Sequence, residues 1–121
     1  MARTVIAVVD DLFFASKIRG TAEQLEVKVV FANTIDAAID AAEREQPSLI
    51  IADLHSERCD AMGLARRLKS DEKLRTVSLV AFFSHVQTEL QRQAEQAGFD
   101  RVLPRSAFSK HLPEILRESQ R

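Results

Sequence analysis

Residues 4–11 read TVIAVVDD, an apolar run from Val5 to Val9 closed by two adjacent acids, Asp10 and Asp11. The run is continuous and largely β-branched, with no alternation of apolar and polar residues. A strand with one wet face would alternate, so this one is expected to be buried on both faces, as in parallel sheets.

The same signature recurs along the chain at Val27 to Phe31, Leu49 to Ala52 and Val77 to Phe83, and more weakly at Arg101 to Leu103. Between these runs lie stretches of helical character: Leu12 to Glu26, Ile35 to Glu45, Met62 to Ser70, Val86 to Ala97 and Lys110 to Ser119. Strand and helix thus alternate five times. Crossovers long enough to hold a helix imply right-handed βαβ units, which predicts an α/β fold: a doubly wound, five-stranded parallel sheet covered by five helices. Asn33 or Thr34 can cap the second helix, Pro47 follows its end, and Gly98 suits a left-handed cap after the fourth. Ser109 is the expected cap of the last helix, with Pro113 in its first turns.

At 121 residues the chain has the size of one domain, expected to span 1–121, and its composition, 45% hydrophobic and 29% charged, is that of an ordered globular protein. Seventeen basic against eighteen acidic residues give a formal net charge of −1, which offers no general attraction to nucleic acid. The lone Cys59 has no second thiol for a disulfide or metal site, which fits a reducing compartment. The N-terminal segment is neither a signal peptide nor long enough to span a bilayer, so no membrane association and a cytoplasmic location are expected.

In an open parallel sheet, ligands gather beyond the carboxyl ends of the strands. The residues there are Asp10 and Asp11 after the first run, Asp53 after the third, Ser84 and His85 after the fourth, and Arg105 after the fifth. Three converging carboxylates would repel one another unless a cation sat among them, and oxygen-only ligands suit Mg²⁺. Ser84 could hydrogen-bond a phosphoryl oxygen and Arg105 could neutralise its charge. Each residue also has a plainer role available: Asp11 as a helix cap, Ser84 as a cap, Arg105 as an ion-pair partner.

VVDD closing the first strand, LIIAD closing the third, a hydroxyl residue closing LVAFFS and AGFDRVLPR before the last helix together resemble the receiver domain of response regulators, over nearly the whole chain. The resemblance, to a receiver of the chemotaxis kind, implies the flavodoxin-like strand order 2-1-3-4-5. It further implies that Asp53 is the phosphoacceptor of two-component signalling, and that Asp10, Asp11, Asp53 and the backbone carbonyl of His55 hold Mg²⁺. Ser84 and Arg105 would bind the phosphoryl group and take part in the switch. The implied partners are a histidine kinase or phosphotransfer protein and a downstream protein, with homodimerisation a further possibility and enzymatic activity limited to self-catalysed phosphoryl transfer and dephosphorylation. The sequence as read contains no output domain, so the expectation is either that the signal is read by another protein or that this is the excised N-terminal domain of a longer chain.

The sequence departs from the family at three places. Arg105 stands where the family has lysine and is followed by Ser106 in place of proline; Val102 replaces the usual Tyr or Phe of strand five; and the loop LHSERCDAMG lacks the Met-Pro pair. These departures favour a rival reading, a pseudo-receiver acting as a constitutive interaction module. A nucleotide or flavin binder is disfavoured, because no glycine-rich phosphate loop follows the first strand. His55, His85 and His111 share no metal-ligand spacing. Arg66, Arg67 and Lys69 are expected on a solvated helix face, and Cys59 in a loop. Phe13 and Phe14, adjacent in sequence, cannot share one helix face, so one of them is expected to be exposed.

Overall fold

A computed structural model describes residues 3–84 and 88–118. The strands are β1 (Thr4–Val8), β2 (Lys28–Phe31), β3 (Leu49–Asp53), β4 (Ser78–Phe83) and β5 (Arg101–Pro104). The helices are α1 (Leu12–Gln24), α2 (Ile35–Glu45), α3 (Ala61–Ser70), α4 (Thr88–Ala97) and α5 (Arg105–Glu118). All strands pair in parallel in the order β2-β1-β3-β4-β5, so the expected fold class and the strand order implied by the resemblance are both observed.

Alternate residues of the continuous apolar strands feed two separate cores. Ile6, Val8, Ile50, Ala52, Leu79, Ala81 and Phe83 pack under α2, α3 and α4. Val5, Ala7, Leu49, Ile51, Val80 and Phe82 pack under α1 and α5, with Phe14, Ile18, Phe108 and Leu112. A period of two, with both faces apolar, is how strands covered on both sides must read. Of the Phe13–Phe14 pair, Phe14 is the buried member and Phe13 is 72% exposed.

Several boundaries differ from expectation. Helix α1 stops at Gln24, because Glu26, with φ of 58°, is left-handed and turns the chain toward β2. The larger correction concerns α5, which begins at Arg105, five residues before Lys110. Pro104 ends β5 and leads directly into the helix, so Ser109 lies inside α5 and its hydroxyl accepts a hydrogen bond from Lys17 Nζ instead of capping. Pro113 sits within α5 and lacks the amide that would otherwise bond the Ser109 carbonyl, at a partly exposed position. Thr34, not Asn33, caps α2, its Oγ1 accepting from the Ala37 amide at 3.0 Å. Residues Val86 and Gln87, expected to open the fourth helix, lie outside the described residues, as do His85 and Ser119. No helix among the described residues is long and apolar enough to cross a membrane.

Candidate functional site at the carboxyl edge of the sheet

The strand registers bring the candidate residues to one edge. Val8 is paired with Ala52, so Asp10 and Asp53 leave adjacent strands at nearly the same level. Phe83 is paired with Pro104, so Ser84 and Arg105 are each the next residue along neighbouring strands. This follows from parallel pairing: every strand ends at the same side of the sheet, and polar residues that close the runs are collected there.

Asp10 is held by the loop after β3. Its Oδ2 accepts from the Ser56 hydroxyl at 2.9 Å and from the amides of Glu57 at 3.1 Å and Arg58 at 3.4 Å. Its Oδ1 is buried and has no hydrogen-bond partner among the described residues. A buried carboxylate oxygen without a donor is costly, and a cation is one of the few groups that would satisfy it.

Asp53 closes β3 as a half-buried side chain, and its Oδ1 accepts from the His55 amide at 2.9 Å. Burial pushes its carboxyl above the usual range; the His55 amide and the charges of His55 and Arg105 pull it down, while the charge of Asp10 pushes it up. Asp53 therefore senses both Asp10 and Arg105.

Asp11 is committed differently. Its Oδ1 caps α1 by accepting from the amides of Phe13 at 2.8 Å and Phe14 at 3.3 Å. Its Oδ2 accepts from Arg105 Nη2 at 2.6 Å. The Phe14 amide is the main cause that lowers its carboxyl below the ordinary range, with Arg105 and the Phe13 amide adding to it against a smaller opposing effect of burial. The plainer roles of Asp11 as cap and Arg105 as ion-pair partner are thus both realised in this structure. Among the described residues no group of three or more His, Cys, Asp or Glu side chains is arranged to hold a metal ion.

Arg105 is fixed from a second side: its Cζ lies 4.1 Å from the centroid of the Phe14 ring. Phe14 in turn stacks on Phe82 at 5.1 Å, and Phe82 on Phe108 at 4.5 Å. Ser84 is exposed, and it shares with Phe14, Phe83, Arg105 and Ser109 a cleft of about 460 Å³ at this edge. A larger cleft of about 930 Å³ lies between the end of α2 and the α3–β4 loop, beside Glu43, Pro47 and Leu74, and includes none of the site residues.

Sequence reasoning missed the parts of Ser56 and Phe14 in this site. Ser56 both donates to Asp10 and accepts from the Cys59 amide at 3.2 Å, which shapes the loop around the acid. Cys59 itself is buried in the core under α3, and burial pushes its thiol up to about 11. A serine and a cysteine among polar loop residues carry no signal of such roles in the sequence.

No protein-family model matches the sequence, and no curated protein matches it. Solved structures do match in shape. The chemotaxis response regulator CheY4 of Vibrio cholerae superposes with a TM-score of 0.84 at 14% identity, covering 98% of this chain and 99% of that one. The receiver domain of a signal transduction histidine kinase from Syntrophus aciditrophicus gives 0.84 at 19% identity, covering 98% and 89%. The fold is that of a response-regulator receiver. The phosphorylated cyanobacterial phytochrome response regulator RcpA gives 0.81 at 17% identity, covering 98% and 91%. At these identities it is the receiver fold that is shared, and any common chemistry has to be argued from the residues at its carboxyl edge.

Proposed function

We propose that this protein is a signalling receiver that takes a phosphoryl group on Asp53 from a histidine kinase or phosphotransfer protein and thereby changes its affinity for a downstream protein. The observation that carries this reading is the placement of Asp53 at the end of the central strand β3, beside Asp10 with its unpartnered buried oxygen and within the field of Arg105. In the reaction an Asp53 carboxylate oxygen would attack phosphorus; the phosphorus–nitrogen bond to the donor imidazole breaks, and the imidazole leaves with the electron pair and takes up a proton. Ser84 would donate its hydroxyl to a phosphoryl oxygen, and Arg105 would pair with the group's charge.

The oxygen-only donor set suits a hard divalent cation, which Asp10 and Asp53 would hold together with the His55 carbonyl, and which Asp11 would join once Arg105 had released it. Mg²⁺ bound there would neutralise charge on the carboxylates and the incoming phosphoryl group. The role of Asp11 depends on breaking its ion pair, and this observation favours the second reading, a constitutive interaction module in which the Asp11–Arg105 pair persists.

The two readings separate on one experiment. The protein is treated with beryllium fluoride, or with acetyl phosphate, in the presence of Mg²⁺, and the product is followed by fluorine NMR or intact mass. A receiver gives an adduct that Asp53→Asn abolishes. No adduct, under conditions that modify an ordinary receiver, leaves the constitutive module.

A further inference from the structure

The Phe14 ring is enclosed between two partners: Phe82 stacks on it at 5.1 Å from the sheet, and the Arg105 guanidinium stands 4.1 Å from its centroid. Phe14 is only 4% exposed, although its sequence neighbours Leu12 and Phe13 are 83% and 72% exposed. Among the described residues the guanidinium is held at the ring by one carboxylate, Asp11, in a pair whose side chains are each more than a third exposed. Such a pair shifts an equilibrium by a factor of about five at most. An aspartyl phosphate on Asp53 would bring close to two negative charges and further acceptor oxygens into the field of the same guanidinium, whose planar fork matches a phosphoryl group. That competition favours the phosphoryl group.

We infer that Arg105 is a lid on Phe14, closed by Asp11 in the resting state and opened when phosphorylation of Asp53 draws the guanidinium away. Opening uncovers one face of the Phe14 ring toward the cleft it shares with Ser84, Pro104 and Ser109. The device is an aromatic switch set at the first turn of α1. It stands in a chain whose strand β5 carries the aliphatic Val102, and it uses what distinguishes arginine from lysine: a flat delocalised cation that stacks on an aromatic face. The inference rests on the proposed phosphorylation of Asp53.

The test is proton–carbon and proton–nitrogen NMR of the full chain with labelled arginine, before and after the beryllium fluoride adduct forms. In the resting protein the Phe14 ring current displaces the Arg105 Hδ and Hε signals upfield; Arg105→Lys, which deletes those signals, assigns them. The expected result is that the displacement collapses as the fluorine signal of the adduct grows, and that an apolar fluorescent dye binds the adduct more strongly than the resting protein. An adduct that leaves the Arg105 signals displaced upfield overturns the lid while the receiver reading stands. Absence of any adduct overturns the receiver reading and the lid with it.

Discussion

One carboxylate joins the starts of two helices: Asp11 Oδ2 takes Arg105 Nη2 at 2.6 Å while Asp11 Oδ1 caps α1. Its two functions are separable. Asp11→Asn keeps a capping oxygen and removes the charge, and is expected to cost about 1 kcal/mol or less, the range of a half-exposed ion pair. Asp11→Ala removes the cap as well and is expected to cost about 1–2 kcal/mol. Urea unfolding of the two variants gives the difference directly; equal losses would mean that the cap contributes nothing.

Asp11 and Asp53 respond to acid in opposite directions. The Asp11 carboxyl is lowered, first by the Phe14 amide, so its ionised form supports the fold; that support is present above its unfolded value of about 3.9 and is lost as pH falls through the folded value. The Asp53 carboxyl is raised by burial, so its ionised form opposes folding, and the opposition is relieved as pH falls through its folded value. Asp53→Asn is therefore expected to raise Tm by a few degrees at neutral pH. The gain should shrink at mildly acidic pH, as the native aspartate itself becomes neutral. Thermal melts of both proteins at the two pH values check this, and a gain independent of pH would contradict it.

Gly98 has φ of +123°, and a Cβ built there would lie 2.6 Å from Lys69 Cγ. The positive φ and the close approach both exclude a side chain, although Lys69 is flexible enough to yield some of the space. Gly98→Ala is expected to cost about 1–3 kcal/mol. The loss should appear as a lower urea midpoint with unchanged slope, since the unfolded chain is barely altered.

Cys59 is 2% exposed, with its thiol pushed up to about 11 mainly by burial and also by the nearby Asp60 and Asp10 charges. It is expected to resist an aromatic disulfide reagent at pH 8 in the folded protein and to react at once in denaturant. Because Ser56 links the Cys59 amide to Asp10, Ser56→Ala is expected to speed the reaction by loosening the loop.

What was legible in the sequence was what depends on local pattern. Val5 to Val9 and Leu49 to Ala52 announce strands because both their faces are covered, and Asp10 and Asp53 stand out as charges that abruptly close such runs. The start of α5 carries a misleading local signal, because Ser109 resembles a cap while the boundary is set by Pro104 at the end of β5. The Asp11–Arg105 pair, 94 residues apart in sequence, and the enclosure of Phe14 between Phe82 and Arg105 depend on how α1 and α5 meet on one face of the sheet. No local window contains that information.

The stack of Phe14, Phe82 and Phe108 also gives the protein an optical signature. The chain has seven phenylalanines and neither tryptophan nor tyrosine, so nothing stronger overlies the fine structure of phenylalanine in the near-ultraviolet. Phe82 of β4 stacks on Phe14 of α1 and on Phe108 of α5, whose own planes are tilted to each other, and the three form a chiral array whose circular dichroism reports the core on that side of the sheet separately from the backbone signal.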